Sequence, residues 1–249
     1  MPLWDDCPLK LPKLPIVTWG LIVANVVVFA FTAAAPPDMQ SAILNFAVTP
    51  ANITAAPIDP TLIPPDLTLV SYMFLHANLW HLLGNVIFLW VFGDDIEEAM
   101  GPLHFIGFYL ASGVVAALIF VASAPHSQQP LVGASGAIAG VLAGYLMFRP
   151  CQKVLVFLPW FLLWFIVRPV VRLDASWVLG GWLLLQLWSI SIQTQDDVAY
   201  MAHVGGVVAG GRAIPAIALP HRAAVRMRPG GQGAVEPDRL AGLISCGAA

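Results

Sequence analysis

Apolar residues fill this chain in long blocks, and the polar residues between the blocks are spaced like loops. Pro15 to Ala35 runs without a charge, long enough to cross the hydrocarbon core of a bilayer as a helix. Thr68 to Gly93 reads as a second span that carries His76, His81 and Asn85, and the acidic patch Asp94, Asp95, Glu97, Glu98 closes it. Leu103 to Ala124 reads as a third span and Leu131 to Phe148 as a fourth, the latter ending at Arg149 and Lys153. Ala175 to Ile192 reads as a fifth, with Gln193 to Asp197 as its external loop. Val198 to about Ala218 reads as a sixth, ending in Arg222, Arg226 and Arg228.

Two stretches break this rhythm. Residues 36–67 contain Pro36, Pro37, Pro50, Pro57, Pro60, Pro64 and Pro65, so they cannot form one helix and are expected as a long first external loop. Val154 to Val167 is apolar but short, contains Pro159, and has Arg149 and Lys153 before it and Arg168 and Arg172 after it. Cationic flanks mark the cytoplasmic side, so both ends should lie on one side, with the segment dipping into the membrane or lying along its surface.

These spans predict an all-α membrane protein with six crossings and both termini cytoplasmic. Residues 1–13 form a cytoplasmic segment, 14–220 the membrane domain, and 221–249 a cytoplasmic, disordered tail. The first span is expected as a retained anchor, since it is too long for a signal core and lacks a processing site. Composition agrees: 59% hydrophobic and 10% charged residues over 249 cannot cover a soluble core, so the lipid bilayer is the first expected partner. A net charge of -3 without a broad basic patch gives nucleic-acid binding no electrostatic support. Cys7, Cys151 and Cys246 are widely spaced, show no metal-ligand pattern, and fall on the expected cytoplasmic side.

The candidate chemistry sits near the outer ends of the spans. Ser135 lies in the first turn after an external loop, His203 a few residues into the sixth span, and His76 and His81 in the outer half of the second. All four can share one layer below the surface. Serine in a membrane helix commonly serves close packing, and Ser135 with Gly136, Gly140 and Gly144 does look like a small-residue seam. Histidine is costlier there and usually functional. Gly136 and Gly140 facing Gly206 and Gly210 would let two backbones approach, which Ser135 and His203 need in order to share a proton. His81 and Asn85, four residues apart, share a helix face and could donate to a developing oxyanion, as could the Ser135 backbone N–H. Asp196 and Asp197 are expected to solvate a loop and favour the start of the sixth helix, not to complete a triad.

Taken in order, His76-x-x-x-x-His81-x-x-x-Asn85, Gly93-x-x-x-Glu97-x-x-x-Gly101, Gly133-x-Ser135-Gly136 and Ala202-His203-x-Gly205-Gly206 resemble the rhomboid intramembrane serine proteases over about residues 15–218. The resemblance implies a six-helix rhomboid-like bundle, and an endopeptidase that cuts single-span transmembrane protein substrates near the outer membrane face. It implies Ser135 as nucleophile and His203 as its base in a dyad, with His81 and Asn85 assisting the oxyanion. His76, Gly133, Gly136 and Gly206 would support the site, and a water-filled cavity would open to the outside. Gly93, Glu97 and Gly101 would be structural, with Glu97 capping or pairing near the inner end. No cofactor or metal is implied, and the membrane expected is a bacterial inner membrane; the oligomeric state is left unspecified.

The chain departs from the family pattern in places. Many relatives carry an aromatic four residues after the serine, whereas this chain has Ala139; the Trp-Arg pair some members have in the first external loop is absent. Arg212 makes the last span polar early unless it snorkels or pairs, with Glu97 or Asp94 as candidates. The alternative class is a rhomboid-like protein that holds membrane clients without cutting them. A histidine-ligated metal enzyme is disfavoured because the five-residue spacing would turn His76 and His81 apart on one helix. A channel or transporter finds no inverted repeat or row of pathway charges.

Overall fold

The structure is a computed structural model that describes residues 2–5, 14–54, 63–149, 152–157, 170–191 and 200–226. In chain order the helices are α1 (Ile16–Ala34), α2 (Pro37–Leu44), α3 (Pro50–Thr54), α4 (Pro65–Ser71), α5 (Leu79–Met100), α6 (Pro102–Ser123), α7 (Ser135–Phe148), α8 (Ala175–Ser191) and α9 (Tyr200–Arg226). The strands are β1 (Pro2–Asp5), β2 (Lys153–Phe157) and β3 (Val170–Asp174).

Helix α7 is the axle of the bundle. It packs against α5, α6, α8 and α9, while α1 leans on the outer side of α5. Every residue from Gly136 to Tyr145 is buried, as expected of a helix apolar all round. The peripheral helices face outward with large apolar groups, Trp19, Val23 and Phe31 on α1 and Trp177, Leu184 and Trp188 on α8. Helices α1, α5 and α6 are long and apolar enough to cross a membrane, and α7 and Ala175–Trp188 of α8 are shorter apolar helices.

The second predicted span is interrupted. After α4, a 3-10 turn at Tyr72–Phe74 and an extended Leu75 precede α5, which starts only at Leu79. Asn78 imposes the restart, since its side chain accepts from the His81 backbone N–H at 2.9 Å. The helix then runs through the acidic patch instead of stopping there, because those carboxylates have partners. Glu97 accepts from the backbone N–H of Val17 at 3.0 Å and of Thr18 at 2.8 Å, and from the Thr18 hydroxyl at 2.9 Å. It therefore caps the N-terminus of α1, where no side chain of the helix's own N-cap does so. Arg149, past the end of α7, lies 3.2 Å from Asp95 and 3.7 Å from Glu98. With Glu97 committed to α1, the side chain of Arg212 is exposed. Helix α5 ends where Gly101 takes φ 82 before Pro102.

Glu97→Ala should lower the stability of the purified protein by about 2 kcal/mol or more, because three donors at a buried helix start lose their acceptor. Thermal unfolding in detergent checks this; an unchanged midpoint would remove the cap from the account.

The proline-rich stretch contains short helices, and prolines Pro37, Pro50 and Pro65 stand at the first positions of α2, α3 and α4, where a missing N–H costs nothing. A Val48–Leu131 bridge ties this stretch to the strand-like approach to Ser135. Residues 55–62 lie outside the described residues.

The segment expected to dip into the membrane begins and is followed by strand. β2 pairs antiparallel with both β1 and β3, in the order β1-β2-β3. Lys153 faces Asp174 across the ladder and forms an ion pair of 2.5 Å with it. Pairing of β2 with β3 sets the two flanks of the segment side by side, while residues 158–169 lie outside the described residues. Period-two burial was invisible in so apolar a run, so an apolar strand reads like a helical piece. The Gln193–Asp197 loop, the three cysteines and the tail from residue 227 are likewise outside the described residues, and α9 continues to Arg226, past the expected start of the tail at 221.

Candidate active site

Ser135 is the first residue of α7, reached through Gly133, whose φ of 117 only glycine adopts readily. The geometry at Gly133 has a second cause, because a Cβ there would lie 2.7 Å from the His81 ring and 3.6 Å from Asn85 Nδ2. The Gly133 N–H donates to the Tyr72 carbonyl at 2.9 Å, and the Tyr72 hydroxyl donates to the Gly113 carbonyl at 2.7 Å. The 3-10 turn before α5 is thereby fastened to α6 and to the loop that presents the serine.

Helices α7 and α9 meet along glycine. A Cβ at Gly206 would fall on the Gly136 carbonyl oxygen, and one at Gly210 on the Gly140 carbonyl oxygen. This approach brings the Ser135 Oγ and His203 Nε2 to 2.8 Å. His203 is 5% exposed, and its other ring nitrogen, Nδ1, is 2.7 Å from the Gln186 Oε1 of α8. The His203 ring also packs on Trp182 of α8, with centroids 5.5 Å apart, and on Tyr200 at 6.4 Å. Ala139, one turn below Ser135, is fully buried against Gly206.

Asn85 and His81 lie one turn apart on α5, and both nitrogen-bearing ends converge on Gly133. Asn85 is buried and its Nδ2 makes no hydrogen bond among the described residues. His76 is in the extended link ahead of α5, so the expectation that helical spacing turns it away from His81 fails: the two rings meet edge to face with centroids 5.3 Å apart. His76 Nδ1 is held 3.3 Å from the Phe74 carbonyl. Among the described residues no group of three His, Cys, Asp or Glu side chains is arranged to hold a metal ion.

A hydroxyl in hydrogen-bond reach of an imidazole, with an unpaired amide donor across the same loop, is an arrangement suited to acyl transfer. A family model, Rhomboid domain, matches residues 66–219. The chain belongs to the rhomboid family. Among curated relatives, the human presenilin-associated rhomboid-like protein, mitochondrial, is 27% identical over 77% of this chain and 45% of its own length. Rhomboid protease AarA of Providencia stuartii is 29% identical over 60% of this chain and 56% of its own length. Rhomboid protease GluP of Bacillus subtilis is 28% identical over 64% of this chain and 28% of its own length. The chain thus spans about half or less of the length of these rhomboid relatives.

In this rhomboid, Ser135, His203, His81, Asn85, His76, Gly133, Gly136 and Gly206 all come together around one loop and one helix crossing. Gln186, Trp182, Asn78 and Tyr72 were not singled out from the sequence. Gln186 carried a usable signal, as an amide in the otherwise apolar middle of the fifth span, where a polar side chain needs a partner. Trp182 and Tyr72 carried none, because aromatic residues are common throughout such helices.

Proposed function

We propose that the chain is an intramembrane serine endopeptidase that cleaves single-span membrane proteins by a Ser135–His203 dyad. The observation that carries this reading is the 2.8 Å contact between the Ser135 Oγ and the His203 Nε2, made by residues far apart in sequence at a glycine crossing. The six-span arrangement belongs to the same proposal. Ser135 attacks the scissile carbonyl carbon while its proton passes to His203 Nε2. Asn85 Nδ2, His81 and the Ser135 backbone N–H, free at the helix start, stabilise the oxyanion. Collapse of the tetrahedral intermediate breaks the C–N bond, and His203 gives its proton to the leaving amine. Water, deprotonated by His203, then hydrolyses the acyl ester and regenerates the hydroxyl.

The similarity extends to relatives named mitochondrial and to relatives from two bacteria, so it supports an integral membrane protein and gives the expected bacterial inner membrane no support over another membrane.

The test is reconstitution of the purified chain in lipid vesicles with a single-span substrate across a pH series. Cleavage should fall toward acid, because an imidazolium cannot accept the serine proton. Substrate bound but uncut would favour a client-binding role, and cleavage flat to well below the histidine range would remove His203 as base.

A further inference from the structure

Helix α8 reaches the site through one polar side chain, and that side chain faces the histidine from behind. Gln186 is 9% exposed, in a helix whose other described residues near it, Leu184, Leu185 and Leu187, face outward. Its Oε1 stands 2.7 Å from His203 Nδ1, while His203 Nε2 stands 2.8 Å from Ser135 Oγ. One turn before it on the same helix, Trp182 lies along the His203 ring at 5.5 Å.

We propose that Gln186 is a positioning residue that holds His203 in its reactive tautomer, so that α8 supports the Ser135–His203 pair from behind; this rests on the dyad reading above. A neutral imidazole carries one proton, and the nitrogen opposite it accepts. With the Gln186 carbonyl oxygen facing Nδ1, the proton sits on Nδ1 and Nε2 keeps the lone pair that must receive the Ser135 proton. When Nε2 takes that proton, the same oxygen accepts from the cationic ring, and a hydrogen bond to a charged group is stronger than one to a neutral group. No proton moves to the amide in either step. Trp182 restrains ring rotation, so the imidazole has both its azimuth and its tautomer set from α8.

An amide differs from a carboxylate in one respect that matters here. Rotated by half a turn it would donate through Nε2 to His203 Nδ1, moving the ring proton to Nε2 and leaving nothing to accept from Ser135. Gln186 therefore supports catalysis only with its oxygen toward the ring, whereas a carboxylate has no donating face. The groups around His203 make this contact the main polar influence behind the ring. The described titratable neighbours are His81 from α5 and Tyr200 from its own helix. Helix α6 meets α9 at Gly205 with Ala116 and Ile119, and α7 contributes Ser135.

The experiment compares wild type, Gln186→Met and Gln186→Glu in vesicles with a single-span substrate, reading kcat, KM and the pH profile, with Ser135→Ala as reference. Gln186→Met, similar in length and with only a weakly accepting thioether for Nδ1–H, should lower kcat about ten- to a hundredfold with KM nearly unchanged, the loss expected for a hydrogen bond to a charged group. Gln186→Glu should recover most of kcat and move the acid limb of the profile upward by about 1 to 3 pH units, because a carboxylate beside the ring favours its charged form. If Gln186→Met fails to fold, the acid limb of Gln186→Glu decides alone. Wild-type kcat in Gln186→Met, or an unmoved acid limb in Gln186→Glu, with Ser135→Ala inactive, would overturn the role of Gln186 and leave the dyad standing. A wild type that does not cleave, or a Ser135→Ala variant that does, would overturn both.

Discussion

Ser135→Ala is expected to abolish cleavage of a single-span substrate, lowering kcat by about ten-thousandfold or more while the protein stays folded. The size follows from the chemistry: without the hydroxyl there is no acyl-enzyme, and oxyanion donors alone retain only a small part of the rate. Stability should fall by only about 1 kcal/mol, the cost of the hydrogen bond to His203 Nε2, since Ser135 is the first residue of α7, makes no capping bond there, and loses one hydroxyl group in a partly exposed place. Two measurements separate loss of chemistry from loss of fold. An alkyl fluorophosphonate should add its mass to the wild type at Ser135 and leave the alanine variant unmodified, and the two should melt within about 4 °C of each other in detergent. A variant that still cleaves, or a wild type whose phosphonate adduct maps to another serine, would move the nucleophile elsewhere.

Gly206→Val should lose both stability and activity although it removes no catalytic group. A Cβ at 206 would clash with the Gly136 carbonyl oxygen, a backbone atom that cannot rotate away, and would lie 3.0 Å from the Ala139 Cβ. The helices must therefore separate. Overpacking of this kind commonly costs 1–3 kcal/mol, and a backbone clash places the expected loss at about 3 kcal/mol or above. Separation also stretches the Ser135–His203 contact of 2.8 Å, and a displacement of about 1 Å can cost a hundredfold in rate. Gly206→Ala should behave alike and more mildly. Melting temperature and kcat measured on the same preparations check the coupling; a valine variant with wild-type values for both would show that the crossing need not be this close.

The glycines thus join two readings that first compete. Gly136, Gly140, Gly206 and Gly210 can be read as a packing seam, and they are one; the seam is also what closes the distance between serine and histidine. That much was legible because small residues at helical spacing leave a clear mark in a sequence. Glu97 was legible as a structural residue, yet its partner was not, since two of the three donors it satisfies are backbone groups of α1 that every sequence possesses. The broken start of α5 was hidden for a related reason. Thr68 to Gly93 is apolar enough to pass for one helix, and the restart depends on a single capping residue, Asn78, whose effect depends on where the chain turns. The same break brought His76 to the edge of His81, against the helical spacing expected of them.

By itself the sequence determined that the chain lives in a bilayer, which helices are apolar, and which side chains can do acid–base and nucleophilic chemistry. These follow from composition and periodicity, which act locally and leave their record residue by residue. The tertiary structure alone decided that β2 and β3 pair at the two ends of the segment expected to dip into or lie along the membrane, that Glu97 caps a helix 79 residues away, and that Gln186 stands behind His203. Those outcomes depend on which helix lies beside which. In a bilayer an apolar helix face meets lipid tails and neighbouring helices on nearly equal terms, so a run of leucines and glycines does not say which neighbour it meets; only the packed bundle brings the Gln186 oxygen to the histidine nitrogen.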